Sequence, residues 1–159
     1  MTKEKLSPIE RERYINWHKE NAELDLEEAE EILEKSQKWS IIAGYYAMHN
    51  AAKYYLGKVF NLKISAPSAH DETLKALEQF LIKSPTYKEI KKLILEAEKE
   101  FETLIGADAS TIANQYRLGK EKREKQTYYT RFQGKKEDAQ GFLDEIVKPF
   151  IKIIMELEE

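Results

Sequence analysis

Apolar positions recur at helical spacing through most of the chain. Residues 8–20 predict an opening helix, with Pro8 in its first turn and Ile9, Tyr14 and Trp17 as intermittent apolar contacts. In the next stretch, AELDLEEAEEILEKS at 22–36, Leu24, Leu26, Ala29, Ile32 and Leu33 form one face while seven acidic residues cover the other. From Trp39 to Gly57 the sequence is apolar over most of its circumference. This predicts the central helix of a bundle, or a helix shared between a core and a dimer interface. Ser40, Gly44, Ala47 and Ala51 recur there at three- or four-residue spacing and permit close approach by another helix. Gly44, Ala47 and Ala51 are the candidate assembly surface.

The pattern then breaks. NLKISAPSAHDE, with Pro67 inside it, predicts a substantial connector. Leu74, Leu77, Phe80 and Leu81 predict a short helix ending near SPTY, and Pro85 introduces a longer one striped by Ile90, Leu93, Ile94, Ala97, Phe101 and Leu104. The two read as antiparallel neighbours. GADAS, 106–110, predicts a turn with Asp108 or Ser110 as a helix cap, followed by a mainly helical but more polar stretch at 111–129. The last segment, 137–157, carries Ala139, Phe142, Leu143, Ile146, Val147, Phe150, Ile151 and Ile154 at helical spacing, and Pro149 predicts a kink in it.

Composition narrows this to an all-α fold. Glycine and proline total ten of 159 residues, so tight turns are scarce. The length suits one domain with a real core, and no internal repeat or low-complexity linker calls for a second. A net charge of −3 argues against a globally basic nucleic-acid coat protein. The chain has no cysteine, which excludes disulfides, thiolate catalysis and cysteine-ligated zinc and is compatible with a reducing cytosol. MTKEKLSPIE lacks the apolar run of a signal peptide, and no stretch reaches the ~20 apolar residues that span a bilayer, so the expected location is cytoplasmic, away from membranes.

Local charge differs from the whole. Residues 117–131, RLGKEKREKQTYYTR, hold six arginines or lysines against two glutamates, a formal +4. Such a segment can neutralise phosphates, arginine can clamp one with paired donors, and tyrosine can stack on a base. Lys120, Lys122, Arg123, Lys125, Tyr128 and Tyr129 are therefore candidate ligand contacts; the other reading is a solvated face or a protein interface. Arg123 and Tyr128 lie about 140° apart on an uninterrupted helix, so a turn or a second subunit must bring them together. A tyrosine with its ordinary pKa near ~10 is a poor base at neutrality.

Three histidines occur. His49 lies next to Asn50 and near Lys53 on the central helix, where it reads either as a phosphate contact or as a satisfied core or interface imidazole. His70 in the connector reads as a cap, loop contact or solvent residue, or as part of a site. Neither these nor His18 follows a glutamate by three positions, and none lies in His-Glu-x-x-His, so no metal site is expected. GxxxxGK[ST] is absent, so ordinary P-loop ATPase chemistry is not supported, and no cofactor is implied. No local arrangement identifies a serine nucleophile with its base and acid.

The segment from Ser40 to Ala52, SIIAGYYAMHNAA, resembles a helix of HEPN-domain proteins, a nucleotide-binding family of higher eukaryotes and prokaryotes. Arg123 to Tyr128, REKQTY, followed by Ala139–Phe142 and the hydrophobic final segment, resembles that family's penultimate and last helices, and together the likeness covers residues 22–157. It implies a bundle of four or five main antiparallel helices, commonly a homodimer. Family members include metal-independent endoribonucleases, with active residues juxtaposed across the dimer. Their motif is an arginine, a polar residue and, after a short spacing, a histidine. Arg123 occupies the arginine position here, no histidine follows it, and Tyr128 or Tyr129 stands in the histidine's place. Other relatives pair with a small nucleotidyltransferase in toxin–antitoxin systems, where a tyrosine is modified. The resemblance thus implies RNA or nucleotide binding and a possible nucleotidyltransferase partner. Arg123 and Tyr128 are the candidate catalytic pair of an atypical ribonuclease, and a non-catalytic interaction bundle is the structural alternative.

Overall fold

The computed structural model describes the backbone at residues 3–64, 69–115 and 136–157, and side chains within those spans at 5–64, 72–104 and 139–157. Arg123 and the other basic and tyrosine candidates of 117–131 lie outside the described residues, and the side chain of His70 does as well.

Ser7 starts the first helix by accepting a bond from the Glu10 amide at 3.3 Å, and Pro8 occupies the first turn, where a missing N–H costs nothing. Helix α1 then runs unbroken over Pro8–Ile32. The two predicted segments, 8–20 and 22–36, are one helix, because nothing between them breaks it. Asn21 even turns its amide back to the Trp17 carbonyl at 2.8 Å. Residues 33–36 reverse the chain, and the Lys35 and Ser36 amides bond the Ile32 carbonyl at 2.9 and 2.8 Å. Ser36 caps helix α2, Gln37–Phe60, through the Trp39 amide at 3.2 Å.

Helix α2 packs against every other helix among the described residues. Tyr45, Ile41, Met48 and Leu56 along it are fully buried, as its nearly continuous apolar circumference predicts. It stops at Asn61, whose φ of 55° is left-handed, a conformation asparagine tolerates well, with its amide bonded to the Leu56 carbonyl. Two cations then meet the end of the helix: Lys5 Nζ donates to the Phe60 carbonyl at 3.1 Å, and Arg11 Nη2 donates to that of Lys58. Positive charge is favoured at this end of the helix dipole.

The connector after α2 contains a strand that the apolar pattern does not predict. β1, Lys3–Lys5, pairs antiparallel with β2, Leu62–Ile64, in the register Lys3 with Ile64 and Lys5 with Leu62. Three residues are too few to show a period. Helix α3, Ala69–Leu81, and helix α4, Tyr87–Gln115, follow, joined through a turn in which Ser84 Oγ accepts from the Thr86 amide at 3.3 Å. The predicted turn at GADAS does not form: α4 continues through 106–110. One glycine inside a helix costs only about 1 kcal/mol, which the rest of a long helix can carry.

The C-terminal helix has three parts: α5 (Lys136–Phe142), a π turn (Leu143–Val147) and α6 (Lys148–Leu157). The Lys148 amide reaches the Leu143 carbonyl, one residue further back than in an α-helix. At the predicted Pro149 kink the helix is accommodated by a widened turn just before the ring. Ala139, Leu143, Val147, Phe150 and Ile154 are buried against the bundle. The all-α helical bundle is therefore the observed architecture.

Small residues let α2 approach its neighbours, and the neighbours belong to the same chain. A Cβ on Gly44 would come within 2.8 Å of Leu143 Cδ2 and 3.1 Å of Val147 Cγ2. Ala47 and Ala51 are fully buried in the core. The expected assembly surface is thus internal to the fold, since the chain's own helices fill the space that these positions open. Gly57 is the less forgiving position, because a Cβ there would lie 2.9 and 3.0 Å from two atoms of the Tyr14 ring, which cannot bend aside as a leucine methyl can. Gly57→Ala should lower the unfolding free energy by about 1–2 kcal/mol even after the helix-propensity gain. Gly44→Ala should cost less, because its nearest obstacle is the end of a flexible leucine. Urea denaturation of the two variants in parallel checks this order.

Candidate functional site

Positions 39, 43, 46, 50 and 53 of α2 fall on one helical stripe. Asn50 touches α1 and Tyr46 touches Phe101 of α4, so the stripe lies between those two helices. Trp39 and Tyr46 are 52% and 41% exposed, while Ala43, Asn50 and Lys53 are half-buried. A stripe this polar on an otherwise apolar helix is the place to look for chemistry.

The first network joins three residues far apart in sequence. Asn50 Nδ2 donates to Asp25 Oδ2 at 2.8 Å, and Asn50 Oδ1 lies 2.7 Å from His18 Nδ1. The carboxylate accepts only, so it fixes the amide's orientation, and the amide oxygen in turn requires a proton on His18 Nδ1. In the neutral ring Nε2 therefore carries the lone pair. Tyr14 packs edge-on against the imidazole, with centroids 4.4 Å apart. Tyr14 itself is held by β2: its hydroxyl accepts from the Ile64 amide at 3.1 Å. Burial pushes the Tyr14 hydroxyl up to about 12.

A second network lies on the α4 side. Tyr45 donates its hydroxyl proton to Glu98 Oε1 at 2.8 Å, and His49 Nε2 lies 3.2 Å from the same oxygen. The Tyr45 ring stacks on Phe101 with centroids 4.0 Å apart. Burial and the Glu98 bond both raise the Tyr45 pKa, so the hydroxyl keeps its proton. His49 is 2% exposed and presents no surface to a ligand. The expected phosphate contact at this residue is instead a core imidazole bonded to a carboxylate.

Both imidazoles are held neutral. Burial lowers the His18 pKa to about 4, opposed by the Asn50 bond and reinforced by the charge of Lys53. Burial also lowers that of His49, against the pull of Glu98, and Lys53 again adds to the effect. Burial alone depresses the Lys53 ammonium. Among the described residues no carboxylate pairs with Lys53 within ion-pair distance. This side of α2 thus carries an acceptor nitrogen, on His18, and a half-buried cation whose charge bears on both rings. No group of three or more metal-binding side chains occurs among the described residues.

Sequence reasoning names His49 and Lys53 but misses the Asp25–Asn50–His18 chain. Asn50 is 25 positions from one partner and 32 from the other. Only the α1–α2 register brings them together, and no local spacing carries that register.

Acid should weaken this fold. The unfolded chain binds protons at its histidines near the ordinary value of 6.5, whereas folded His18 resists protonation until about 4. Stability should therefore fall as the pH drops through that window, and His49 acts in the same sense. Asp25, whose pKa burial raises, acts in the opposite sense. Denaturant midpoints at pH 7, 6 and 5 should decline for the parent protein and decline less for His18→Gln. The chain matches no family model, no curated protein and no solved structure, so this side of α2 is read from its own chemistry.

Proposed function

We propose that this chain is a HEPN-like nucleotide- or RNA-binding bundle. The observation that carries the reading is charge segregation. Residues 117–131 hold a formal +4 in a chain whose net charge is −3, and two adjacent tyrosines lie within that run. Cations concentrated in this way release counterions from a phosphate backbone, and tyrosine rings stack on bases without regard to sequence. The run falls between α4 and α5, the interval in which the HEPN resemblance implies the functional arginine. An observed all-helical bundle is what that resemblance implies for the fold. A homodimer and a nucleotidyltransferase partner belong to the same proposal.

In this reading Lys120, Lys122 and Lys125 supply sequence-independent attraction, and Arg123 supplies paired donors to one phosphate. Tyr128 and Tyr129 offer stacking surfaces. Cleavage would require Arg123 to stabilise charge developing on the phosphate, with a tyrosine orienting a reacting oxygen.

The test is a metal-free assay of binding and cleavage on a mixed RNA pool, with the parent protein and Arg123→Ala in parallel. Binding that weakens by about tenfold in the variant, and that declines steeply with salt, is the expected result. Arginine-dependent cleavage would establish the ribonuclease form of the proposal. Absence of both activities would overturn it in favour of a protein-interaction bundle.

A further inference from the structure

At the open end of the α1–α2 hairpin, cations from three parts of the chain meet the last two turns of α2. Lys5 Nζ donates to the Phe60 carbonyl at 3.1 Å, and Arg11 Nη2 donates to that of Lys58. Helix geometry sets those two carbonyls about 5 Å apart. Lys58 Nζ donates to the Tyr54 hydroxyl at 3.2 Å and lies 5.6 Å from the centre of that ring, while Lys19 Nζ lies 5.7 Å from the same centre. The two ammoniums are therefore within about 11 Å of each other. Lys5 and Lys19 are exposed, and Arg11 and Lys58 are half-buried. An ammonium has three N–H donors and a guanidinium five, so the carbonyl bonds of Lys5 and Arg11 leave other donors for a ligand.

Among the described residues no carboxylate lies within ion-pair distance of Lys5, Arg11 or Lys19. A rotation of about 100° per residue turns Glu10 and Glu20 away from this face of α1 and leaves Glu12 and Glu23 at its outer edge. Four cations against those two carboxylates make the strip positive in a chain of net charge −3. Capping the helix dipole explains Lys5 and Arg11 at the last turn. It does not explain Lys19, which sits at Tyr54, more than a turn before the end of α2 at Phe60. The Tyr54 ring is 2% exposed, so it positions the two ammoniums and offers no face to a base. The C-terminal helix also points here. Leu143 lies beside Gly44, and Lys148 beside Glu30, whose neighbour Ala29 is bonded to Ser40. That helix thus runs antiparallel to α2, and α5 begins, at Lys136, toward the Tyr54 end.

We propose that Lys5, Arg11, Lys19 and Lys58 form a strip that binds the sugar–phosphate backbone of a single RNA strand. It rests on the reading of the chain as RNA-binding and adds to it a contact surface outside residues 117–131. Arg11 to Lys19 spans about 12 Å along α1, the length of a few nucleotides. All four groups donate and none accepts, and no base stacks on Tyr54, so this contact is made to phosphates and does not read sequence.

Lysine acetylation of the full chain, mapped by mass spectrometry with and without a short oligouridylate, tests it on the parent protein. Lys5 and Lys19 should lose most of their reactivity when RNA is bound, while the exposed Lys35, Lys83 and Lys88 keep theirs. Lys5→Gln combined with Lys19→Gln should weaken binding by about tenfold near ~0.1 M salt. The same variant should flatten the dependence of log affinity on log salt by about 1.4, about 0.7 for each lost contact. A parent protein that binds no RNA overturns both the strip and the reading it rests on. RNA binding that Arg123→Ala weakens, with Lys5 and Lys19 unprotected, overturns the strip alone. Protection by phosphatidylserine vesicles and not by RNA overturns it in favour of a lipid surface. The acetylation pattern decides the matter even if the double variant fails to fold.

Discussion

A helix that is apolar nearly all round must find cover all round, and α2 imposes that requirement on the rest of this chain. Every other helix among the described residues is laid against it. Buried polar atoms on such a helix need partners, because an amide or hydroxyl sealed without one costs several times what a satisfied one contributes. Several polar groups on α2 accordingly select a position on a neighbour. Ser40 Oγ donates to the Ala29 carbonyl at 2.7 Å and holds α1 at the closed end of the hairpin. Asn50 takes Asp25 and His18 further along the same helix pair, and Tyr45 with His49 takes Glu98 on α4. Apolar packing alone would allow α1 and α4 to slide by a turn. The polar bonds fix the register of α1 and α4 against α2.

Helix identity was legible in the sequence because burial on one face repeats every 3.6 residues, and the apolar stripes of α2, α4 and the C-terminal helix are long enough to show it. Boundaries were less so. The break expected near residue 21 and the turn expected at GADAS both depend on short polar stretches, and a helix already nucleated on either side runs through such stretches. The small strands were hidden for a different reason: their pairing joins residues about 60 positions apart, and three residues carry no period. Gly44 shows the same limit at the level of packing. Its spacing with Ala47 and Ala51 announces a close helix contact but says nothing about which helix makes it, and the C-terminal helix of the same chain provides it. The Asp25–Asn50–His18 chain was unreadable because hydrogen bonds across a helical hairpin leave no mark in local spacing.

The π turn links packing to a single residue. Proline at 149 removes one helix N–H and places its ring against the preceding turn, so the helix widens at Leu143–Val147. That turn also supplies the two side chains, Leu143 and Val147, that lie closest to Gly44. The distortion that proline imposes and the space that glycine leaves thus meet at one contact. A regular α-helical turn here would rotate the following residues by about 100°, shifting Phe150 and Ile154 out of the core they now fill.

Charge on this molecule is arranged by burial as much as by composition. The glutamates of α1 face water, and a net charge of −3 gives the surface no general attraction for polyanions. Lys53 is different because it shares a half-buried face with Asn50 and, among the described residues, has no carboxylate within ion-pair distance. The cation is tolerated there because both histidines beside it remain neutral, and they remain neutral partly because the cation is present. The arrangement is self-consistent only while no second positive charge enters. Protonating either ring would add a second positive charge to the surroundings of the half-buried Lys53.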